Sequence, residues 1–333
     1  MKIAIVGLGA IGGLLAARLA AAGHGVSALA RGATLAALRE HGVRLRDRSG
    51  EETAQRIAAS DSAAALGPQD LVVIALKGPA LIDVAPTLVP MLGPDTLVLP
   101  AMNGVPWWFL PAGAGASAAA GTEPLASVDP GGRIAAALPL EHVLGCVVHL
   151  TCSSPAPGVV QHGFGERLIV GEPSGDPGAA SPRTRAVCAA LAEASFQAEA
   201  SADIRGDVWY KLWGNMTMNP VSALSGALSD AILDDTLVRE FILRTMAEAA
   251  QIGARIGCPI GQSGDARIAV TRQLGGFKTS MLQDAEAGRP LELDALVGAV
   301  HEIGTRLGIE MPNIGALLGL TRLMARRRGL YPA

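Results

Sequence analysis

An α/β domain built on a parallel sheet, followed by an all-helical domain, is what this chain of 333 residues predicts. Three observations carry that reading. Short apolar runs, Ile3 to Val6, Leu71 to Ala75 and Thr96 to Leu99, alternate with helical patterns, and unbroken runs of this length suit strands covered on both faces. A cluster of glycines follows the first run. Beyond Asp203 only helical periodicity remains. The predicted division is therefore 1–202 and 203–333.

The first strand, Ile3 to Val6, runs into Gly7-Leu8-Gly9-Ala10-Ile11-Gly12, then a helical pattern from Leu14 to Ala22 ending at Gly23, then a second strand from Val26 to Ala30. Strand, glycine turn, helix and strand within about 30 residues is the context in which GxGxxG marks a Rossmann-type dinucleotide-binding unit. Gly7 permits the tight turn, Gly9 lets backbone approach a pyrophosphate, and Gly12 allows close packing of the helix, whose N-terminus favours negative charge. All six turn residues are expected to bind the cofactor. An NAD site usually ends its second strand with Asp or Glu to hold the ribose 2′-hydroxyl. Here the strand ends Ala28-Leu29-Ala30-Arg31-Gly32, and Arg31 suits a 2′-phosphate instead. NADPH is the expected cofactor.

A polar, hairpin-like segment spans Val43 to Ile57, and a helix opens after Pro79. Lys77-Gly78 follows one later strand and Asn103-Gly104 the next, beyond the carboxyl ends where open α/β sheets bind ligands. Pro111 to His142 is rich in small residues, including Gly113 to Ala120 and the turn Asp129 to Gly132, and reads as partly looped. Strands near Val143 to Leu150, Val159 to His162 and Arg167 to Val170, a surface loop at Ser174 to Gly178, a helix from Pro182 to Ala194 and a short strand near Phe196 to Glu199 complete the first domain.

In the second domain, helices are predicted over Asp207 to Met218, Asp234 to Ile256, Gly264 to Leu274, Ser280 to Ala287 and Leu291 to Leu307. Pro220 should stop or kink the first of them at Asn219. At about 100° per residue, Lys211, Asn215 and Asn219 share a narrow arc of that helix. Trp209, Leu212, Trp213 and Met216 surround them with apolar surface. Burying unpaired polar groups is costly, so this row calls for a partner such as a small polar ligand.

Composition narrows the classes of function. A net charge of -3 with few aromatics argues against nucleic-acid binding. Cys146, Cys152, Cys188 and Cys258 share no CxxC spacing and form no evident cluster with histidines, so they read as reduced thiols in a cytoplasmic protein without a metal site. The early glycines break what would be a signal sequence, and Arg18 interrupts the apolar run before the roughly 20 residues a membrane span needs. The basic stretch Arg326-Arg327-Arg328 reads as an exposed helix end.

The combination of GxGxxG, Leu76-Lys77, Met102-Asn103-Gly104, Pro157 to Val160, Lys211 with Asn215 and Asn219, and Ser280 followed by Glu292 and Asp294 resembles the ketopantoate reductase (2-dehydropantoate 2-reductase) family over nearly the whole chain. The resemblance implies NADPH-dependent reduction of ketopantoate to pantoate, on the route to pantothenate. It further implies that Lys211 is the acid and that Glu292 assists it beside the cofactor. Asn215, Asn219 and Ser280 would hold the substrate, while Lys77 and Asn103 would line the cleft by the nicotinamide.

The chemistry is coherent on its own terms. As hydride reaches a ketone carbon, charge develops on the oxygen, and a lysine ammonium in reach can stabilise it and supply the proton. Burial would lower the lysine pKa from about 10.4 while a nearby glutamate would raise it. Two readings of Ser280 and Glu292 stay open: Ser280 with Gln283 also looks like a capping box, and Glu292 would be favourable in a first helical turn whatever its task. Val105-Pro106-Trp107-Trp108 departs from the family pattern and suggests an altered acceptor pocket. The alternatives are a reductase of another small 2-keto acid and a non-catalytic NADP-binding regulator on the same fold. A small 2-keto acid is the expected partner, and a homodimer is compatible with the sequence.

Overall fold

In the computed structural model, which describes residues 1–113, 120–174 and 180–332, the strands are β1 (Lys2–Val6), β2 (Gly25–Leu29), β3 (Val43–Arg46), β4 (Glu52–Gln55), β5 (Ala58–Ser60), β6 (Leu71–Ile74), β7 (Leu97–Pro100), β8 (Gly145–Ala156), β9 (Val159–Gly171) and β10 (Gln197–Ser201). Five of them form a parallel sheet in the order β5-β2-β1-β6-β7. Ile3 pairs with Val26 on one side and Leu71 on the other. Every residue from Ile3 to Val6 and from Leu71 to Ile74 is buried, as central parallel strands require. Each large side chain among them contributes about 1.5 to 3 kcal/mol through burial.

The second sheet is mixed. β9 runs parallel to β3 and β10 and antiparallel to β8, and β3 and β4 form the antiparallel hairpin expected from the polar segment after Val43. The two strands predicted over Val159 to Val170 are one continuous strand, with bulges in its pairing to β8. The helix Ala10–Ala21 packs against strands of both sheets. Gly13 makes this possible, because a Cβ there would lie 2.3 Å from Cγ2 of Val160.

The chain divides into two compact units, Met1–Met102 with Gly132–Asp207, and Asn103–Gly131 with Val208–Ala333. The first is α/β. In the second, the described residues hold helices and turns and no strand. This division differs from 1–202 and 203–333 in the segment 103–131, which lies with the helices. The reason is apolar: Trp107, Trp108, Phe109 and Leu110 are all buried, and the Phe109 ring stacks 5.9 Å from that of Trp209. Polar contacts add to it, since the Glu302 carboxylate accepts from the amides of Ala126 and Ser127. Most of the stretch Gly113 to Ala120 and of the loop Ser174 to Gly178 lies outside the described residues.

Two further differences are local. The helix beginning at Ile204 passes through Pro220 and ends at Ser225. A proline there leaves one carbonyl unbonded and costs about 3 kcal/mol or more, but Met216 through Ala223 are all buried, so packing outweighs the lost bond. The helix predicted from Asp234 to Ile256 is Thr236–Arg255, and a short helix not expected from the sequence, Ser229–Asp234, precedes it. Asp235 separates them and caps the second by accepting from the Val238 amide. The helices Gly264–Arg272 and Ser280–Glu286 follow the periodicity, and Pro312–Arg327 adds one more.

Candidate active site

In the first unit, Gly7 adopts φ +91°, and a Cβ there would meet Cδ2 of Leu76 at 2.5 Å. A Cβ on Gly12 would lie 2.0 Å from the Gly7 carbonyl oxygen. These two positions admit only glycine, whereas Gly9 has nothing within 4 Å and is the exposed N-cap of the Ala10–Ala21 helix. An open, Cβ-free helix N-terminus suits a pyrophosphate. Leu8 is buried and Ala10 and Ile11 are half-buried, so the turn offers backbone more than side chain.

Arg31 lies just past the end of β2 as the exposed N-cap of the helix Gly32–His41. Its guanidinium makes no hydrogen bond or ion pair among the described residues. Lys77 occupies the corresponding place beyond β6, as the N-cap of Gly78–Val84. β1, β2 and β6 are neighbours in the sheet, so Gly7, Arg31 and Lys77 all lie at its carboxyl edge, beside β1 where the strand order reverses. Ligands of open α/β sheets bind at such an edge.

The second unit gathers the other predicted residues. Lys211, Asn215 and Asn219 sit at four-residue spacing in one unbroken helix, Ile204–Ser225. The Nζ of Lys211 donates to Oδ1 of Asn103 at 2.6 Å. Asn103 is presented by a tight turn, since Gly104 has φ +88° and a Cβ on it would fall 2.6 Å from the Ala295 carbonyl oxygen. The Val105 amide donates to that same oxygen at 2.8 Å. Asn219 is only 7% exposed, and its carboxamide forms no hydrogen bond among the described residues. Asn215, half-buried, is likewise unpartnered among the described residues.

The two open readings resolve differently. Thr279, not Ser280, caps the helix Ser280–Glu286, accepting from the Leu282 amide at 3.2 Å. Ser280 is exposed at the first helical position, so the capping box is out of register by one residue and the Ser280 hydroxyl has no capping duty. Glu292 precedes the helical turn beginning at Leu293 and is not in it; the turn that follows, Asp294–Gly298, is a π-helix. Trp107 and Trp108 are 4% and 2% exposed, and the Trp108 ring lies 6.2 Å from that of Phe109.

Electrostatics around the site is set by burial. Burial raises the Asp207 carboxyl, one turn before Lys211; the Ser201 hydrogen bond opposes this and Asp203 reinforces it. Burial likewise raises Asp294, against the Tyr331 hydrogen bond and the charges of Arg322 and Arg326. The sequence made Gly104 visible as a turn residue but gave no signal of its partner Ala295, which lies far along the chain. Among the described residues, no group of three or more His, Cys, Asp or Glu side chains is placed to hold a metal ion. No described helix is long and apolar enough to cross a membrane.

Comparison with known proteins agrees with this geometry. Residues 3–106 match the family described as "Ketopantoate reductase PanE/ApbA", and residues 203–325 match its C-terminal counterpart. A 2-dehydropantoate 2-reductase of Mesorhizobium japonicum is 43% identical over 99% of this chain and 100% of its own length. Among solved structures, a Ralstonia solanacearum protein assigned to the ketopantoate reductases is 56% identical over 99% of both chains, with a TM-score of 0.93. The 2-dehydropantoate 2-reductase of Methylococcus capsulatus is 27% identical over 98% of both, with a TM-score of 0.81. With the glycine turn at one sheet edge, the lysine–asparagine row on its helix, and matches over both halves of the chain, the protein belongs to the ketopantoate reductase family.

Proposed function

We propose that this protein reduces 2-dehydropantoate to pantoate with NADPH as reductant. The observation that carries the reading is the Lys211 ammonium, oriented by Asn103 at 2.6 Å and followed along one helix face by Asn215 and the buried Asn219. The relative from Mesorhizobium japonicum, 43% identical over its full length, carries this activity in its name.

A bound reduced nicotinamide supplies the hydride. The chain's own residues supply the rest. Lys211 stabilises the negative charge that develops on the keto oxygen and then delivers its proton there. Asn103 holds the ammonium in one orientation, so little freedom is lost as the reaction proceeds. Asn215 and Asn219 bind the polar groups of the substrate, and Ser280 donates to its carboxylate. Glu292 assists Lys211 and adjoins the cofactor. Gly7 to Gly12 would hold the pyrophosphate of the cofactor, Lys77 and Asn103 would serve its nicotinamide end, and Arg31 would take the 2′-phosphate.

The name of the Mesorhizobium japonicum relative favours 2-dehydropantoate over another 2-keto acid, and the Lys211 set opposes a non-catalytic regulator. Four free cysteines fit a reducing, cytoplasmic setting. Following the absorbance of the reduced cofactor tests the reading. Rapid oxidation of NADPH with 2-dehydropantoate, and slow oxidation with pyruvate or branched 2-keto acids, is expected. No oxidation with any 2-keto acid overturns it.

A further inference from the structure

Glu292 lies outside regular helix and strand. It stands between the helix Ser280–Glu286 and the turn starting at Leu293. The segment that follows the helix Pro312–Arg327 bonds to this stretch on both sides of Glu292. On one side of Glu292, the Leu291 amide donates to the Leu330 carbonyl at 2.9 Å. On the other, the Tyr331 hydroxyl donates to Oδ1 of Asp294. Leu291 and Leu293 are both buried and Glu292, between them, is partly exposed.

The bracing segment is itself anchored. Leu330 is buried, and its amide donates to the Ala325 carbonyl at 2.8 Å. Arg326 donates from Nε to the Pro332 carbonyl at 3.0 Å and lies 5.7 Å from the centre of the Tyr331 ring. Asp294 is next to Ala295, whose carbonyl receives the Val105 amide of the Asn103-Gly104-Val105 turn. A displacement of Asp294 would reach Glu292, two residues before it.

We propose that Tyr331 is a positioning residue, which fixes the Glu292 stretch through Asp294 while the Leu330 carbonyl fixes it through Leu291. Burial, and the Asp294 carboxylate beside it, push the Tyr331 phenol up to about 12, so it stays a donor at neutral pH. Asp294 needs that donor, because a half-buried carboxyl left unsatisfied is costly. The kinetic part of the test rests on the reductase reading; the structural part does not.

Amide hydrogen exchange compares the wild-type protein with Tyr331→Phe. Faster exchange across residues 288–298, with the helix Thr236–Arg255 unchanged, is expected. In steady-state kinetics, Tyr331→Phe should lower kcat roughly 3- to 10-fold, with no further loss when introduced into Glu292→Gln. Asp294→Asn keeps an acceptor oxygen and should behave as wild type, whereas Asp294→Ala should reproduce Tyr331→Phe; this pair decides the matter if the tyrosine variant does not fold. Unchanged exchange, or the same fold loss in both backgrounds, overturns the proposal. If the wild-type protein reduces no 2-keto acid, the reductase reading fails while the exchange comparison still decides the brace.

Discussion

Lys211 and Asn103, 108 residues apart in sequence, meet in a hydrogen bond of 2.6 Å between Nζ and Oδ1. The bond joins the helix that opens the second half of the chain to the turn that leaves β7. It makes the orientation of the ammonium depend on a residue that no helical periodicity would connect to it.

Replacing Lys211 by alanine should lower turnover by roughly 10²-fold or more, the scale of a positioned acid. NADPH affinity, measured by quenching of protein fluorescence, should be largely kept. Unchanged turnover would remove Lys211 from the mechanism.

Asn219→Ala separates a ligand-binding role from a structural one. Asn219 is 7% exposed and its carboxamide has no hydrogen-bond partner among the described residues, so its removal breaks no hydrogen bond within the protein. The unfolding midpoint should hold while KM for 2-dehydropantoate climbs about 10-fold, the equivalent of one lost hydrogen bond. A fall in the midpoint with KM unchanged would count against the assigned role.

Arg31→Glu should weaken NADPH binding far more than NADH, since only NADPH presents a 2′-phosphate to the reversed charge. Equal weakening of both, by titration calorimetry, would remove the case for cofactor choice.

Gly104 and Gly50 have nearly the same φ, +88° and +89°, yet a Cβ meets Ala295 in one and open space in the other. Gly50→Ala should cost about 1 to 3 kcal/mol from backbone conformation alone. Gly104→Ala adds overpacking of about 1 to 3 kcal/mol and should also depress turnover by moving Asn103. Equal effects of the two in thermal unfolding would show that the Ala295 contact yields freely.

Burial alone would raise the Glu302 carboxyl, but hydrogen bonds from Ser127, Ala126 and Arg306 outweigh it and hold the pKa below the ordinary glutamate value. A depressed folded-state pKa contributes stability that is complete above the unfolded value, near about 4.3, and is lost as pH falls through the folded value. On acidification below that point, the wild-type unfolding midpoint should drop towards that of Glu302→Gln. Parallel curves at all pH values would contradict this.

The glycine turn and the Lys211 row were legible in sequence because both are local: one is a spacing within a strand–turn–helix unit, the other a four-residue repeat on a single helix. Helix ends were less so. Thr279 and Ser280 carry adjacent hydroxyls, and only the structure distinguishes which one caps. Pro220 argued for a stop that burial of the surrounding turn overrides. The helix Pro312–Arg327 is marked in sequence by a proline at its first turn and by Ile314, Leu317, Thr321 and Ala325, all buried, at helical spacing. The allegiance of residues 103–131 could not be read at all, since it depends on where distant Trp209, Ala295 and Glu302 end up.

That allegiance bears on how such a protein can be divided or inherited. The chain passes between its two units three times, after Met102, after Gly131 and after Asp207. Neither unit is a cassette that a single crossover could transfer. An exchange at residue 202 would deliver helices without the Trp107 to Leu110 cluster and leave those rings on a partner with no core for them, an exposed patch prone to association. Exchanging the helical unit between relatives therefore calls for two linked replacements, with Asn103–Gly131 travelling alongside the helices.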